Sequence, residues 1–322
     1  MSTAARTLSS RGFALQDDFD EARLLGPAET RTAWIVFGVL AAAVTLAYGN
    51  MLSFTSSFWV KDEYSHGWIV PLIAAYLFWV RMKPLTEAAS LDRWIGVTLI
   101  GVCLLVRVWS AYFDINLPDR LSYIGALLGV TLVAGGRNML LWAGPAIAFA
   151  VFMYPLPQFI ENTLLMKLQT YATMISTWVM QALGVSAARE GNTIAIDNLE
   201  TPLQVVEACS GLRMLTIFGA MSVALVMIIE RPWWDKLIIL LSAIPIALIS
   251  NVVRIVSIGL LQMVFGQDTL WLDKLIHDWA GLAMMPIGLG LLWLELSILS
   301  RLTVPIEDDD FGAGHLGAAA PA

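Results

Sequence analysis

The chain has 322 residues, of which 58% are hydrophobic and only 14% are charged. Because a soluble domain carries roughly a quarter charged residues, this composition excludes an ordinary soluble protein. The net charge of −7 reflects 26 acidic and 19 basic residues without a basic cluster, which argues against nucleic acid as a partner. The apolar residues occur in runs long enough to cross a lipid bilayer, so we predict an all-α integral membrane protein.

The sequence divides into a polar N-terminal tail (residues 1–32), a transmembrane domain (33–300) and a C-terminal tail (301–322). The N-terminal tail lacks the short apolar core and cleavage site of a secretory signal, so the first apolar run is expected to be a retained span. About eight transmembrane helices are predicted in chain order, at residues 33–52, 67–80, 94–112, 121–135, 139–154, 209–229, 237–265 and 277–299. The second, fourth and fifth are short, which leaves a re-entrant segment open for one of them.

The distribution of basic residues predicts the orientation. With both termini in the cytoplasm, eleven Lys and Arg fall in inner segments and five, Arg120 among them, in outer segments. The positive-inside rule therefore favours cytoplasmic tails and a bacterial inner-membrane location with an outward-facing connection at residues 155–208.

This connection is unlike the others. Its first half has apolar residues near helical spacing with polar residues between them, which predicts an amphipathic helix on the extracytoplasmic membrane surface. The segment EGNTIAIDNLETPLQVVEA follows, with a Gly-Asn turn signal and β-favouring residues. We predict a small β-hairpin there that leads directly to Cys209.

Of the two cysteines, Cys103 lies within an apolar run and is expected to be a buried thiol. Cys209 lies in VVEACSGLR at the start of a predicted span, with Glu207 just before it and Arg213 four residues later. A helix N-terminus and a nearby cation both lower a thiol pKa and favour the nucleophilic thiolate. A structural cysteine packed at the end of a span is the alternative.

Arg254 interrupts the apolar run IPIALISNVVRIVSIGLLQMV. A charge near the bilayer centre costs at least about 2.5–3.5 kcal/mol, so such a residue usually faces the protein interior and marks function. Asn251 lies on the same helical side and is a candidate to orient it. The functional interpretation is a hydrogen-bond donor to an oxyanion, and the alternative is an arginine that snorkels to the membrane interface.

Histidines complete the set of candidates on the predicted outer face. His277, in LDKLIHDWAGL, is expected to open the eighth span and has a suitable pKa for proton transfer. His66 and Tyr64, in KDEYSHG, precede the second span on the same face, and His66 is a candidate to share or replace the role of His277. No spacing of ligands indicates a metal site or another cofactor.

The segments ACSGLR, NVVR and HDWAG, in this order on successive spans, resemble the exosortase and archaeosortase family, as does KDEYSHGWIVPLIAAYLFWVR. The resemblance covers roughly residues 33–300. It implies a cysteine protease or transpeptidase that removes a C-terminal sorting tail (a PEP-CTERM-type motif, an apolar helix and a basic cluster) from secreted proteins, often linked to exopolysaccharide production. It also implies that Cys209 is the nucleophile, Arg254 the transition-state stabiliser and His277 the acid and base.

The expected partners are therefore membrane-anchored C-terminal tails of secreted proteins and an acceptor nucleophile that the sequence does not identify. Two other functions remain open at this point. One is a non-enzymatic multispan factor for exopolysaccharide polymerisation or export, in which Cys209 is dispensable. The other is a transporter, which is disfavoured because the polar residues gather at one face and not at the bilayer midplane.

Overall fold

The computed structural model describes residues 23–197, 199, 201–205, 212–266 and 270–302, with residues 62, 63 and 270–283 described by their backbone alone. Helices make up most of this part of the chain. The helices are α1 Pro27–Ala47, α2 Gly49–Phe58, α3 Val70–Val80, α4 Ser90–Phe113, α5 Asn116–Phe149, α6 Gln158–Ala182, α7 Leu212–Ile228, α8 Trp233–Phe265 and α9 Leu270–Leu302. Two 3₁₀ segments, Asp62–Trp68 and Ala150–Met153, and three strands, β1 Ala187–Glu190, β2 Thr193–Ile196 and β3 Leu203–Gln204, complete it.

Within the described residues, five helical segments are long and apolar enough to cross a membrane: Pro27–Ala47, Ser90–Phe113, Asn116–Met153, Trp233–Phe265 and Met284–Leu302. Two shorter apolar helices are α3 and α7. The protein is therefore a helical membrane-type chain with a small sheet.

Helix α5 is two antiparallel arms and not one rod. Its backbone is non-helical at Gly135 (φ −138°, ψ 15°) and Gly136 (φ 63°, ψ −160°). A Cβ built on Gly144 lies 3.6 Å from Leu128 Cδ2, although a straight helix would separate these residues by about 24 Å. The chain therefore reverses at the glycine pair, between the runs 121–135 and 139–154 that were predicted as separate spans.

The ends of two elements differ from their predicted positions. Helix α1 begins at Pro27, six residues before the predicted span, because proline suits the first helical position and Glu29 accepts a 2.9 Å hydrogen bond from the Gly26 amide. Helix α9 begins at Leu270, so His277 lies two turns inside the helix and does not open it. Both predicted starts were one to two turns too late, because the residues that were taken to precede each span, PAETRT in α1 and LWLDKLI in α9, are already helical.

The chain forms two compact units. Unit 1 comprises the described residues up to Lys167 together with Val223–Ile228, and unit 2 comprises those of Leu168–Ser222 and from Ile229 onward. In unit 1, α4 packs closely on α5, since a Cβ on Gly96 would lie 2.7 Å from the Gly129 carbonyl oxygen. Such glycine contacts let membrane helices approach each other closely.

In unit 2, the sheet has three antiparallel strands in the order β1-β2-β3, one more than the predicted hairpin. Ala187 pairs with Ile196, and Thr193 pairs with Gln204. Gly191, with φ +63°, makes the turn at the predicted Gly-Asn signal. The sheet is held by a buried cluster with α6 and α8, formed by Ala172, Met180, Ala187, Ile194, Ile196, Val205, Val252, Ile255 and Val256.

Candidate active site

Arg254 is buried in the second half of α8. Its residue exposure is 6%, and Asn251 and Ser250, three and four residues earlier, are 1% and 0% exposed. Spacings of three and four residues place these polar side chains on one side of the helix. An arginine that snorkels to the membrane interface would keep its guanidinium in water. The burial of Arg254 instead places its charge inside the protein.

The opposite side of α8 packs on the sheet. Val252, Ile255 and Val256, which flank Arg254 in the sequence, belong to the buried cluster with α6 and the strands. Gly259 continues this side, where a Cβ would lie 2.5 Å from Met180 Cε. The sheet therefore fixes the rotation of α8 and with it the direction of the polar side that carries Arg254.

The register between α8 and α9 comes from one hydrogen bond. Ser242 Oγ lies 2.7 Å from Glu295 Oε2, and the two helices are neighbours joined by a short connection. The two helices run in opposite directions, so residues at equal distances from this contact lie level with each other. Arg254 is therefore level with Ala283. By the same count, His277 is level with Leu260. For straight helices at 1.5 Å per residue, this count corresponds to about 9 Å along the helix axis between the levels of His277 and Arg254, with His277 nearer the connection.

Cys209 and Glu207 lie outside the described residues, in the segment 206–211. The described chain stops at Val205, which is 2% exposed and belongs to the cluster that flanks Arg254, and it resumes at Leu212, which is 1% exposed. Helix α7 is described from Leu212 onward. Both ends of the segment that contains Cys209 are therefore anchored in buried positions of unit 2.

Arg213 is the second residue of α7 and is half-buried. Its backbone carbonyl accepts a 3.0 Å hydrogen bond from Thr216 Oγ1. The positive side chain is therefore four residues beyond Cys209 in sequence, at the first turn of the described helix.

Tyr64 and His66 belong to unit 1. They lie in the 3₁₀ segment Asp62–Trp68, with ring centroids 6.3 Å apart, and Tyr64 is 5% exposed. The structure brings these two residues together, and it separately brings Arg254 together with Asn251 in unit 2.

Sequence analysis missed two residues that the structure singles out. Arg120 counted as an ordinary outer-loop cation, yet it is only 8% exposed. Gln169 carried no signal, yet its Nε2 donates a hydrogen bond to the carbonyl oxygen of Val205, the last described residue before the segment 206–211. No local pattern distinguishes either residue, because each owes its role to a contact at least 35 residues away in sequence.

Comparison with known protein families places this chain among membrane proteins. A family model described as transmembrane exosortase (Exosortase_EpsH) matches residues 58–294, which include Cys209, Arg254 and His277. No curated protein and no solved structure matches the chain. The five helical segments of spanning length agree with a multi-pass membrane location. The match covers most of the chain, and the protein belongs to the transmembrane exosortase family.

Proposed function

We propose that this chain is a membrane cysteine protease or transpeptidase that removes the C-terminal sorting tail of secreted proteins. The observation that carries the proposal is Arg254, which is buried at 6% exposure within a helix of membrane-spanning length. A buried cation at such a depth is costly and is usually retained for function. Family membership, with a match that includes Cys209 and His277, supports a role for this arginine in a cysteine-dependent reaction.

The reaction begins with the Cys209 thiolate, which attacks the carbonyl carbon of the scissile peptide bond. Arg254 donates hydrogen bonds to the oxyanion of the tetrahedral intermediate, a contribution of a few kcal/mol to the transition state. His277 gives a proton to the leaving amine as the C–N bond breaks, which releases the tail and leaves a thioester on Cys209. His66 is a second candidate for this proton transfer.

The thioester is then resolved by an acceptor. A nucleophile that loses its proton to the histidine attacks the thioester carbonyl and expels the Cys209 thiolate. Water as the acceptor gives proteolysis, and an amine or hydroxyl of an envelope component gives transpeptidation. Exopolysaccharide production is the process that we propose this sorting serves.

We propose eight spans, and the described helices support this number. The five long segments become six when Asn116–Met153 is divided at its glycine reversal, and α3 and α7 bring the number to eight. We propose cytoplasmic termini in the bacterial inner membrane, which place the sheet and the site at the periplasmic face with α6 on the membrane surface. A topology reporter inserted after Gly191 tests this arrangement, and a cytoplasmic signal would contradict it.

The decisive experiment co-expresses the chain with a tail-bearing secreted protein and follows removal of the tail. Cys209→Ala is expected to abolish removal. Cys103→Ala is the matched control, because Cys103 is a buried thiol, 7% exposed, in α4 of unit 1. Equal processing by Cys209→Ala and the parent chain would refute the nucleophile assignment. Capture of a substrate thioester on Cys209 in a His277→Ala chain would establish acyl transfer.

One observation favours the non-enzymatic alternative, a multispan factor for exopolysaccharide polymerisation or export. Arg107 and Asp119 form a 3.0 Å ion pair with 17% and 15% side-chain exposure in unit 1. Partly buried charge of this kind also occurs in transport pathways. Under this alternative, Cys209→Ala retains polymer export whereas Arg107→Leu and Arg254→Leu lose it.

A further inference from the structure

Arg107 and Arg120 of unit 1 both lie near Asp119 in the sequence, but only Arg107 pairs with its carboxylate. Arg107 Nη1 lies 3.0 Å from Asp119 Oδ1, and its guanidinium also lies 4.5 Å from the centroid of the Tyr48 ring. Arg120 is only 8% exposed, and among the described residues no carboxylate pairs with it. An uncompensated charge that is withdrawn from water is unfavourable. Within the described part of unit 1, Arg120 is therefore a buried positive charge that an external anion would neutralise.

The surroundings of Arg120 satisfy one of its donors and leave a neighbouring hydroxyl without a partner. Its Nη1 donates to the Pro155 carbonyl oxygen at 3.2 Å, and its guanidinium lies 5.7 Å and 5.9 Å from the ring centroids of Phe58 and Tyr154. The Tyr154 hydroxyl is buried without a hydrogen-bond partner among the described residues. A tyrosine hydroxyl is protonated at neutral pH, so that of Tyr154 is able to donate.

An apolar groove of about 710 Å³ adjoins this cluster. Thirteen of its 17 lining residues are apolar, and at one end the indole Nε1 of Trp59 donates to the Met153 carbonyl oxygen at 2.8 Å. Trp59 follows Phe58 directly, and Met153 precedes Tyr154, so the groove lining and the contacts of Arg120 are one residue apart, or about 3.8 Å, on each of two chain segments. Trp59 also packs on Trp68 at 5.0 Å, a pair typical of the membrane interface.

We propose that unit 1 binds an anionic phospholipid, with its phosphate at Arg120 and Tyr154 and an acyl chain in the groove. A phosphodiester supplies the negative charge that Arg120 lacks and acceptors for the Tyr154 hydroxyl. The groove supplies an apolar surface that continues from this headgroup position into the membrane core. A polar peptide or sugar would leave its own hydrogen-bonding groups unpaired along such a lining. This site does not depend on the chemistry of Cys209.

The test uses the purified full chain incubated with phosphatidylcholine vesicles that contain a minor fraction of phosphatidylglycerol. Bound lipid is then measured by mass spectrometry after the chain is separated from the vesicles. The parent chain is expected to enrich phosphatidylglycerol. Arg120→Gln, which retains a donor for Pro155, is expected to reduce this enrichment about tenfold, since one charge-assisted contact contributes on the order of a factor of ten in binding. Arg31→Gln, at an exposed arginine of α1, is the control and is expected to change nothing.

Two further variants keep the test meaningful if Arg120→Gln folds poorly. Tyr154→Phe removes only the hydroxyl and is expected to reduce enrichment about threefold, because a neutral hydrogen bond contributes less than a charged one. Ala75→Trp fills the groove from an exposed position in α3, whereas Ala43→Trp adds the same bulk to an exposed position in α1 outside the groove. Loss of enrichment with Ala75→Trp but not with Ala43→Trp would support the acyl-chain position.

Competition distinguishes the possible anions. Inorganic phosphate at high concentration is expected not to displace phosphatidylglycerol, because it lacks the acyl chain. Displacement by phosphate with no effect of Ala75→Trp would show a site for free phosphate and overturn the lipid assignment. Displacement by an apolar helical peptide with an acidic flank would show a peptide site and overturn it as well. Equal enrichment by the parent chain, Arg120→Gln and Tyr154→Phe would refute the headgroup site.

Discussion

Gln169 on α6 donates a hydrogen bond from its side-chain Nε2 to the backbone carbonyl of Val205. Val205 is the last described residue before the segment that contains Cys209, and it is buried in the cluster that flanks Arg254. A second glutamine on the same helix, Gln181, donates in the same way to the Ala187 carbonyl at 2.7 Å, at the start of the sheet. Helix α6 thus holds both ends of the sheet by side-chain amides.

This arrangement predicts that Gln169 is a positioning residue. Gln169→Leu removes the only described side-chain contact to the Val205 carbonyl, so the chain that leads to Cys209 loses its fixed position. We expect tail removal to fall by about tenfold, because loss of one neutral hydrogen bond costs about 1 kcal/mol and misplacement of a nucleophile adds to it. The measurement is the rate of tail removal in cells that contain equal amounts of the parent and variant chains.

Gln181→Leu is the matched control for Gln169. It removes an equivalent bond at the opposite end of the sheet, so the two variants should lower the unfolding temperature by similar amounts. Only Gln169→Leu should slow tail removal. If the two variants slow it equally, the contact to Val205 contributes stability alone and has no separate role in the site.

The reversal in α5 predicts a strong requirement for glycine at position 136. Gly136 has φ +63°, and an added Cβ would lie 2.9 Å from Asp92 Oδ2. That oxygen accepts a 3.0 Å hydrogen bond from the Arg137 amide, at the start of the second arm. Gly136→Ala should therefore destabilise the fold by about 2 kcal/mol, from backbone strain and displacement of this carboxylate.

Thermal unfolding in detergent measures this effect. Gly144→Ala is the control, since the added methyl would make only ordinary contacts of 3.4 Å or more, with Leu140 of the second arm and Leu128 of the first. Alanine favours a helix over glycine by up to about 1 kcal/mol, so this variant should be neutral or slightly stabilising. Comparable losses at Gly136 and Gly144 would contradict the special geometry of the turn.

Much of the architecture was predictable, because the bilayer imposes strong periodic constraints. Apolar runs located α4 and α8 to within a few residues, and the break between the runs 121–135 and 139–154 coincides with the glycine reversal. The Gly-Asn signal located the turn at Gly191. The sequence predicted a hairpin and not a third strand. The β-favouring runs TIAI and LQVV contain β2 and β3, whereas β1 lies almost wholly before the segment EGNTIAIDNLETPLQVVEA.

The burial of individual charges was harder to predict. Arg254 was recognisable because it interrupts an apolar run. The sequence around it is therefore enough to show that its charge is unfavourable in a membrane. Arg120 lies beside Asp119 in a polar segment, and only the folded chain shows that Asp119 pairs with Arg107 instead. Its aromatic neighbours, Phe58 and Tyr154, come from distant positions in the sequence. Side-chain pairing of this kind has no sequence signature.

The contact between α7 and α9 in unit 2 provides another prediction. A Cβ on Gly288 would overlap the ring of Phe218, a residue that is 2% exposed and cannot swing into solvent. Gly288→Ala should therefore lower the unfolding free energy by about 1–3 kcal/mol, the usual cost of overpacking. Gly290→Ala is the control, because nothing lies within 4 Å of an added Cβ there.

A double variant separates overpacking from a change in helix propensity. Phe218→Leu removes part of the ring that the new methyl would strike, so Gly288→Ala should cost less in that background than in the parent chain. The comparison is a double-mutant cycle based on thermal unfolding. Additive effects of the two changes would mean that the ring and the methyl do not meet.

Arg254 offers the sharpest prediction about chemistry. Arg254→Lys keeps the positive charge inside unit 2 but replaces the planar fork of donors with a single ammonium. If Arg254 binds the oxyanion, this change should slow tail removal by about 10²–10³-fold, as loss of an oxyanion donor does in other enzymes. The unfolding temperature should change little, since the charge and most of the side-chain volume remain.

Arg231→Lys is the matched control, because Arg231 pairs with Asp235 at 3.7 Å beside the start of α8. Tail removal by Arg254→Lys at the parent rate would assign the arginine a structural role and leave the oxyanion without its proposed donor.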